Sequence, residues 1–523
     1  MKKIFTLFSA MLMSIASFAT TYNGTLTVTV NGEVSEQPTS VSIDEVNGNY
    51  KLSINNFMLV AGETPLPVGN IVIDHVPGAV NGGLTTLCTN QEIQIPAGNV
   101  EGIAEDEWLG PLLGNVPVEM NARFTGEGYV VTDIHINMVE LDQVIDVKFE
   151  NVGNHFQMPN SDFETWSDKN KAPKHWHGFE SVTGSLSGSA KSTTKLVSSN
   201  NVRPGSKGLT SAVVTSTKVF TVIANGTMTN GRLAAGSMSA TNSANHSETN
   251  LSSTDVDANG DPFATPMYAK PDSVKFWMRF TQAKAQASYP NAAFNAVITD
   301  GTYYQDPENK TYTNKVAVAA PNKADMTVGD WRLVSCPFDY ASYAANGAEA
   351  KAILLTVSTN ATPGKGSYSN GVADSVYVDD LELVYLADIK SVSFKGATLD
   401  LANTDIDIAD DDVISANDFV VEKIGEDAKV TTLVEANAKG YQAVISVVSG
   451  DLNTQKTLVF NFNKPVWADG DVNHDGVVDL ADVTLLINKV LGADATQLYN
   501  PDVNADGNVD VADVTTLVSL ILG

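Results

Sequence analysis

Twice near its C-terminal end, the 523-residue chain sets oxygen-bearing side chains at the same intervals around a glycine. Asp471, Asn473, Asp475, Gly476, Asp479 and Asp482 form the first set, and Asp502, Asn504, Asp506, Gly507, Asp510 and Asp513 repeat it 31 residues further on. Counted from the first aspartate, the oxygens fall at loop positions 1, 3, 5, 9 and 12, with glycine at position 6 where the chain must turn sharply. Position 7, Val477 or Asn508, offers its backbone carbonyl. An all-oxygen ring of this kind suits calcium, one ion per loop; zinc asks for nitrogen and sulfur, and the ligating positions hold neither. A merely solvated acidic surface would not repeat five ligands and a glycine in register.

The elements that must hold these loops follow from the residues beside them. Position 12 is aspartate in both copies instead of a bidentate glutamate, and the preceding ADG and YNP do not read as helices, so each loop leads into a single helix. Val483, Leu486, Ile487, Val490 and Leu491 recur at helical spacing before Gly492, and Val514, Leu517, Val518, Ile521 and Leu522 do so before Gly523. Each stripe is too small to be buried alone, so the two helices are expected to pack together. This pattern, over about 467–523, resembles a type I dockerin. The resemblance implies a module that needs calcium to fold and that docks onto a cohesin on another protein. Its partner-choosing positions 10 and 11 fall here on Leu480-Ala481 and Val511-Ala512, where polar residues such as Ser and Thr are usual. Two outcomes stay open for these apolar pairs: a different partner, or cover by a neighbouring domain of the same chain.

The remaining chain is long enough for three or four units. MKKIFTLFSAMLMSIASFAT places two lysines before an apolar run and small residues at Ser17 and Ala19, the pattern of a signal peptide over 1–19 and hence of an exported, extracytoplasmic protein. No later stretch is apolar enough to span a membrane, and no cysteine near the cleavage point suggests a lipid anchor. Cys88 and Cys336 are the only cysteines, so disulfides are not the stabilising device. With 32 basic against 61 acidic residues the formal charge is −29, which disfavours nucleic acid and anionic membrane surfaces as partners.

Between about 20 and 150 the sequence alternates with period two and turns at Asn31-Gly32, Asn47-Gly48 and Gly126 to Gly128, predicting an antiparallel meander closed into a barrel. The rhythm and the opening YNGTLTV resemble the calycin-like β-barrel domains of secreted Bacteroidetes proteins, which implies a barrel either open to a small apolar ligand or filled and acting as a spacer. Residues 387–465, through VSFKGATLDL, DFVVEKI, YQAVISVVSG and KTLVFNF, predict a small immunoglobulin-like sandwich without chemistry of its own.

From about 155 to 386 the text is rich in Ser, Thr, Asn and Gly. NSDFETW, expected on the first strand, APKHWHGF, and the closing VADSVYVDDLELVY resemble a carbohydrate metabolism domain family of Bacteroidetes and, more broadly, jelly-roll carbohydrate-binding sandwiches. In such sandwiches aromatic faces stack on sugar rings. Trp166, Trp176, Trp277, Trp331, Tyr303 and Tyr304 are the supply; each tryptophan has a core alternative, and Trp176 and the Tyr303-Tyr304 pair are the candidates chosen for sugar contact. The resemblance also implies a structural calcium shared by Glu164 and Asp380, with Asp379 on the opposite strand face; a pair of surface acids is the alternative. His175-x-His177 offers two metal ligands without a third, and DVDANGD imitates a calcium loop through Asp255, Asp257 and Asn259 but reaches Pro266 at its twelfth position, so a turn-rich loop is expected.

A glycosidase needs two carboxyl groups roughly 5 to 10 Å apart. Asp162 and Glu164 with Asp168, Glu180, Asp306 or Asp339 could furnish them, but spacing along a sandwich does not fix separation in space. The expected whole is a mainly β multidomain chain: barrel, jelly-roll sandwich, immunoglobulin-like sandwich and an α-helical two-repeat calcium module. It reads as a non-catalytic protein that binds polysaccharide or oligosaccharide, with a glycoside hydrolase acting through 155–386 and a surface scaffold or adhesin as its rivals.

Overall fold

The computed structural model describes residues 20–60, 65–139, 142–168, 172–191, 196–219, 221–493 and 498–523. The signal-peptide expectation lies on residues 1–19, outside the described residues. The fold is mainly β, with helices at 480–490 and 511–522 in the C-terminal module. No helix among the described residues is long and apolar enough to cross a membrane. The chain divides into two compact bodies: residues up to 391 with 421–432 and 445–457, and residues 392–420, 433–444 and 458–523.

In the first body, β1 (Thr20–Val30), β2 (Glu33–Val46), β3 (Asn49–Leu59), β4 (Leu66–Asn81), β5 (Leu84–Ile93), β6 (Val116–Thr125), β7 (Val130–Met138) and β8 (Gln143–Glu150) run antiparallel in sequence order. Pairing of β1 with β8, Val28 opposite Val147, closes the barrel and leaves no sheet edge. The Asn-Gly turns form as expected because both residues take positive φ, 49° and 92° at Asn31-Gly32 and 54° and 82° at Asn47-Gly48. Alternate residues fill the interior: Leu26, Val28, Val41, Ile43, Leu52, Ile54, Val118, Met120 and Phe149 join one apolar cluster. Arg123, 1% exposed, donates from Nε to the Leu452 carbonyl at 2.6 Å and from Nη2 to the Asn453 carbonyl at 3.0 Å, tying the barrel to 445–457.

The central region builds two facing sheets. The first runs in the order Gly329–Pro337, Ser273–Thr281, Ser375–Val384, Ser211–Thr215 and Leu196–Ser199; the second runs Thr227–Thr229, Ala352–Ser358, Ala293–Thr299 and Lys315–Ala319, with Thr265–Pro266 beside Ala352–Ser358. Strand Ser273–Thr281 alternates strictly, so Val274, Phe276, Met278 and Phe280 meet Phe294, Ala296, Ile298, Ile353, Leu355 and Val357 from the opposite sheet in one core. Three short strands, Arg232–Ala235, Asn245–Thr249 and Tyr304–Asp306, form a further sheet.

NSDFETW is not a strand. Residues 160–164 are turn and loop, with positive φ at Asn160 (48°) and Phe163 (57°). The Asn160 side chain competes with any ladder: Oδ1 accepts from the Thr165 N–H at 2.9 Å, and Nδ2 donates to the carbonyls of Thr165 and Lys174.

The second body carries a phenylalanine cluster, Phe394, Phe419 and Phe462, with ring separations of 4.7 to 5.7 Å. Asp405–Asp407 runs parallel to Asn461–Asn463 there. The same body contains the two acidic loops.

Candidate metal centre

The local sequence folds each loop around its first and last aspartates. Asp471 Oδ1 accepts from the Asp475 N–H at 3.2 Å and Oδ2 from the Gly476 N–H at 2.9 Å; Asp482 Oδ1 accepts from the Asn473 N–H at 3.1 Å and Oδ2 from the Asp479 N–H at 2.9 Å. The second loop repeats this through Asp502 and Asp513 at 3.0, 2.8, 3.1 and 2.8 Å. Backbone angles repeat as well: φ is 57° at both His474 and Ala505, and 91° and 90° at Gly476 and Gly507. Glycine is needed at position 6 because that left-handed conformation strains a residue with a Cβ.

Helix α1 (Leu480–Val490) and helix α2 (Val511–Leu522) start inside the loops, at position 10. Asp479 and Asp510 are their N-caps, accepting from Ala481 and Ala512 N–H groups at 2.6 and 2.7 Å, and Asp482 and Asp513 complete capping boxes. The N–H groups of Asp510 and then Asn504 and Val503 hold the Asp513 carboxyl below the usual carboxylate range, against the opposing effect of burial. The two helices pack as expected, but on a core narrower than their stripes: Val472, Val483, Leu486 and Leu517 are buried, whereas Ile487, Leu491, Val518, Ile521 and Leu522 remain exposed.

Calcium fits these loops by the chemistry of their donors. Asp471, Asn473, Asp475, Asp479 and Asp482, with the Val477 carbonyl, supply hard oxygens only; Asp502, Asn504, Asp506, Asp510, Asp513 and the Asn508 carbonyl supply the same set. Among the described residues no lysine or arginine pairs with any of these carboxylates, although Asp471, Asp482 and Asp513 are buried. A divalent cation held by these oxygens would supply the missing counter-charge and tie the two ends of a loop together.

One partner in this module was not read from the sequence. His474, at position 4 of the first loop, is stacked between Trp467 and Tyr499 at centroid distances of 4.5 and 3.9 Å, with Nδ1 3.5 Å from Asp410 Oδ2. Its only sequence signal is an aromatic residue before each loop and a histidine inside one of them.

The sandwich candidates divide differently. Trp176 is 1% exposed and packs on Phe163, so its expected sugar contact is corrected to a core role; its Nε1 donates to the carbonyls of Pro159 and Asn160. Tyr304 is likewise buried, at 2%, beside Tyr312. Tyr303 is 40% exposed and donates to Glu248 Oε2 at 2.8 Å. Trp277 and Trp331 lie half-buried on the outer side of the first sheet, Trp277 under the Arg203 guanidinium at 5.5 Å and Trp331 donating to Asn201 Oδ1; Trp166 donates to the Phe163 carbonyl.

Glu164 and Asp380 both bond to the loop 203–210. Glu164 accepts from the N–H groups of Leu209 and Thr210 at 2.9 to 3.0 Å, and Asp380 pairs with Arg203 Nε at 2.5 Å. Asp379 is fully buried, and burial pushes its carboxyl up to about 6. DVDANGD is the turn expected: Asp257 Oδ1 accepts from Asn259 and Asp261 N–H groups, while Asp255 pairs with Arg232 at 2.7 Å. The structure does bring this turn to the histidines, with His175 3.4 Å from Asp261 and His177 3.8 Å from Asp257. Burial keeps His177 below its ordinary pKa. Of the acids considered for hydrolysis, Asp162 Oδ1 accepts from Glu164 N–H, Glu180 from Gly178 N–H, Asp339 from Ser342 N–H and Asp306 from Asn295 Nδ2. Asp168 also has an interaction partner.

Two family matches agree with these geometries. Residues 18–152 match the Calycin-like beta-barrel domain, and residues 469–522 match the Dockerin type I domain. No match among curated proteins is found. The chain therefore joins a calycin-like barrel to a dockerin, the module by which extracellular proteins dock onto cohesin-bearing partners.

Proposed function

We propose that this protein is an exported, modular carbohydrate-binding protein whose two calcium loops fold a connector that carries the sandwich to a cohesin-bearing partner. The observation that carries this reading is the repeated loop geometry with Leu480, Ala481, Val511 and Ala512 exposed at equivalent places on the two helices. These residues, with the uncovered Ile487, Leu491, Val518 and Ile521, offer an apolar surface of the kind buried in protein interfaces. The central double sheet supplies the glycan-binding part, as its resemblance implies.

The test uses the full chain. Immobilised cohesin modules should retain it with calcium and release it with chelator, and insoluble polysaccharides should retain it without release of reducing ends. Reducing-end release would replace binding by a hydrolase; retention by neither cohesin nor glycan would leave a scaffold.

A further inference from the structure

Strand Ala352–Ser358 divides its residues between two faces. Ile353, Leu355 and Val357 point into the core, so Leu354, Thr356 and Ser358 occupy the outer face. Register adds Val297, Asn295 and Ala293 opposite these three, and Thr227 opposite Ser358. At one end this face is sealed, because Tyr304 and Tyr312 pack with Val297 and Leu354. At the other end it floors a cleft of about 390 Å³ whose apolar walls include Phe179, Leu186, Leu233 and Pro307. That volume falls in the range of small-molecule sites.

Three buried polar atoms of the lining have no hydrogen-bond partner: Asn225 Oδ1, Thr356 Oγ1 and Asn360 Nδ2. The other ends of both amides are fixed. Asn225 Nδ2 donates to the Asn360 carbonyl at 2.8 Å, and Asn360 Oδ1 accepts from the Thr362 N–H at 2.8 Å. Asn360 is 2% exposed, so its free amino group is desolvated as well as held in place. Leaving such a group unpaired is unfavourable, and a ligand supplying the missing partner offsets that cost.

The geometry points to this cleft as a binding site for a neutral sugar residue, an inference that deepens the carbohydrate reading above and rests on it. An acceptor, a donor and a hydroxyl that can be either match adjacent sugar hydroxyls, which both donate and accept. The apolar walls suit the C–H faces of a sugar ring. Among the described residues no lysine or arginine lines the cleft and the carboxyl of Asp306 does, which disfavours an anionic ligand.

The full chain is titrated with neutral gluco-, manno-, galacto-, xylo- and N-acetylglucosamine oligosaccharides, in parallel with Thr356→Val and Ala293→Trp. Thr356→Val keeps the side-chain shape and should weaken binding of the retained sugar about tenfold. Ala293→Trp fills the cleft floor and should abolish it; the smaller change keeps the test valid if the larger one unfolds the sandwich. Undiminished binding by Thr356→Val and by folded Ala293→Trp would overturn the site while leaving carbohydrate binding intact. Binding of none of these sugars by the parent chain would overturn the carbohydrate reading and this inference together.

Discussion

The ring of His474 lies 3.9 Å from that of Tyr499 and nearly parallel to it, at 12°. The contact joins position 4 of the first calcium loop to the chain just before the second, and Trp467 covers the other side of the imidazole. The two loops are therefore linked through side chains as well as through the packing of α1 on α2.

Trp467 should report this arrangement. Subtracting the emission of Trp467→Phe from that of the parent isolates its signal, which should shift when calcium is removed and return when it is restored. His474→Ala should abolish the shift and cost about 1 kcal/mol of stability through lost ring contacts. A calcium-independent Trp467 signal would show that the stack does not depend on loop order.

Asp482 is fully buried and holds the Asn473 and Asp479 N–H groups. Asp482→Ala should leave both donors unpaired, destabilise α1 by about 2–4 kcal/mol, and reduce bound calcium from two ions to one. Asp513→Ala should do the same to the other repeat. Calcium isotherms of both variants check this; two ions bound by each would contradict the ligand assignment.

Asp379 gives the sandwich a pH dependence. Its folded pKa of about 6 lies above the ordinary carboxylate value because burial disfavours the charged form. The group therefore favours folding below the ordinary carboxylate pKa, and that contribution is lost as pH rises through about 6. Asp379→Asn should remove this dependence and stabilise the chain at neutral pH by on the order of 1–2 kcal/mol, allowing for solvent screening. Thermal melts from pH 4 to 8 measure it, and a parent chain that gains stability across that window through this residue would reverse the sign.

Trp176 and Tyr303 separate core from surface. Trp176→Ala should cost about 3–5 kcal/mol in unfolding free energy, as for other buried aromatics, whereas Tyr303→Phe, which loses the bonds to Glu248 and Gln305, should cost about 1–2 kcal/mol. Denaturant melts distinguish the two.

The barrel and calcium loops were legible in the sequence because their determinants are local. An Asn-Gly pair names its own turn, and a twelve-residue loop carries all its ligands. The cleft was not, because Asn225, Thr356 and Asn360 meet only through the strand order of a folded sheet. Trp176 was misplaced because a tryptophan between two histidines carries no mark of the face it turns to, and NSDFETW because the hydrogen bonds that bend it come from its own asparagine. The narrow helix core has a similar cause: spacing identifies the apolar side of each helix but not how much of it the partner covers.

Equilibrium dialysis of the full chain against calcium, with the metal counted by mass spectrometry and helix content followed by circular dichroism, tests the central claim most directly. Two bound ions per chain, with helical signal lost to chelator and regained with calcium, is the result expected. No bound ion at millimolar calcium, with both C-terminal helices intact, would contradict it.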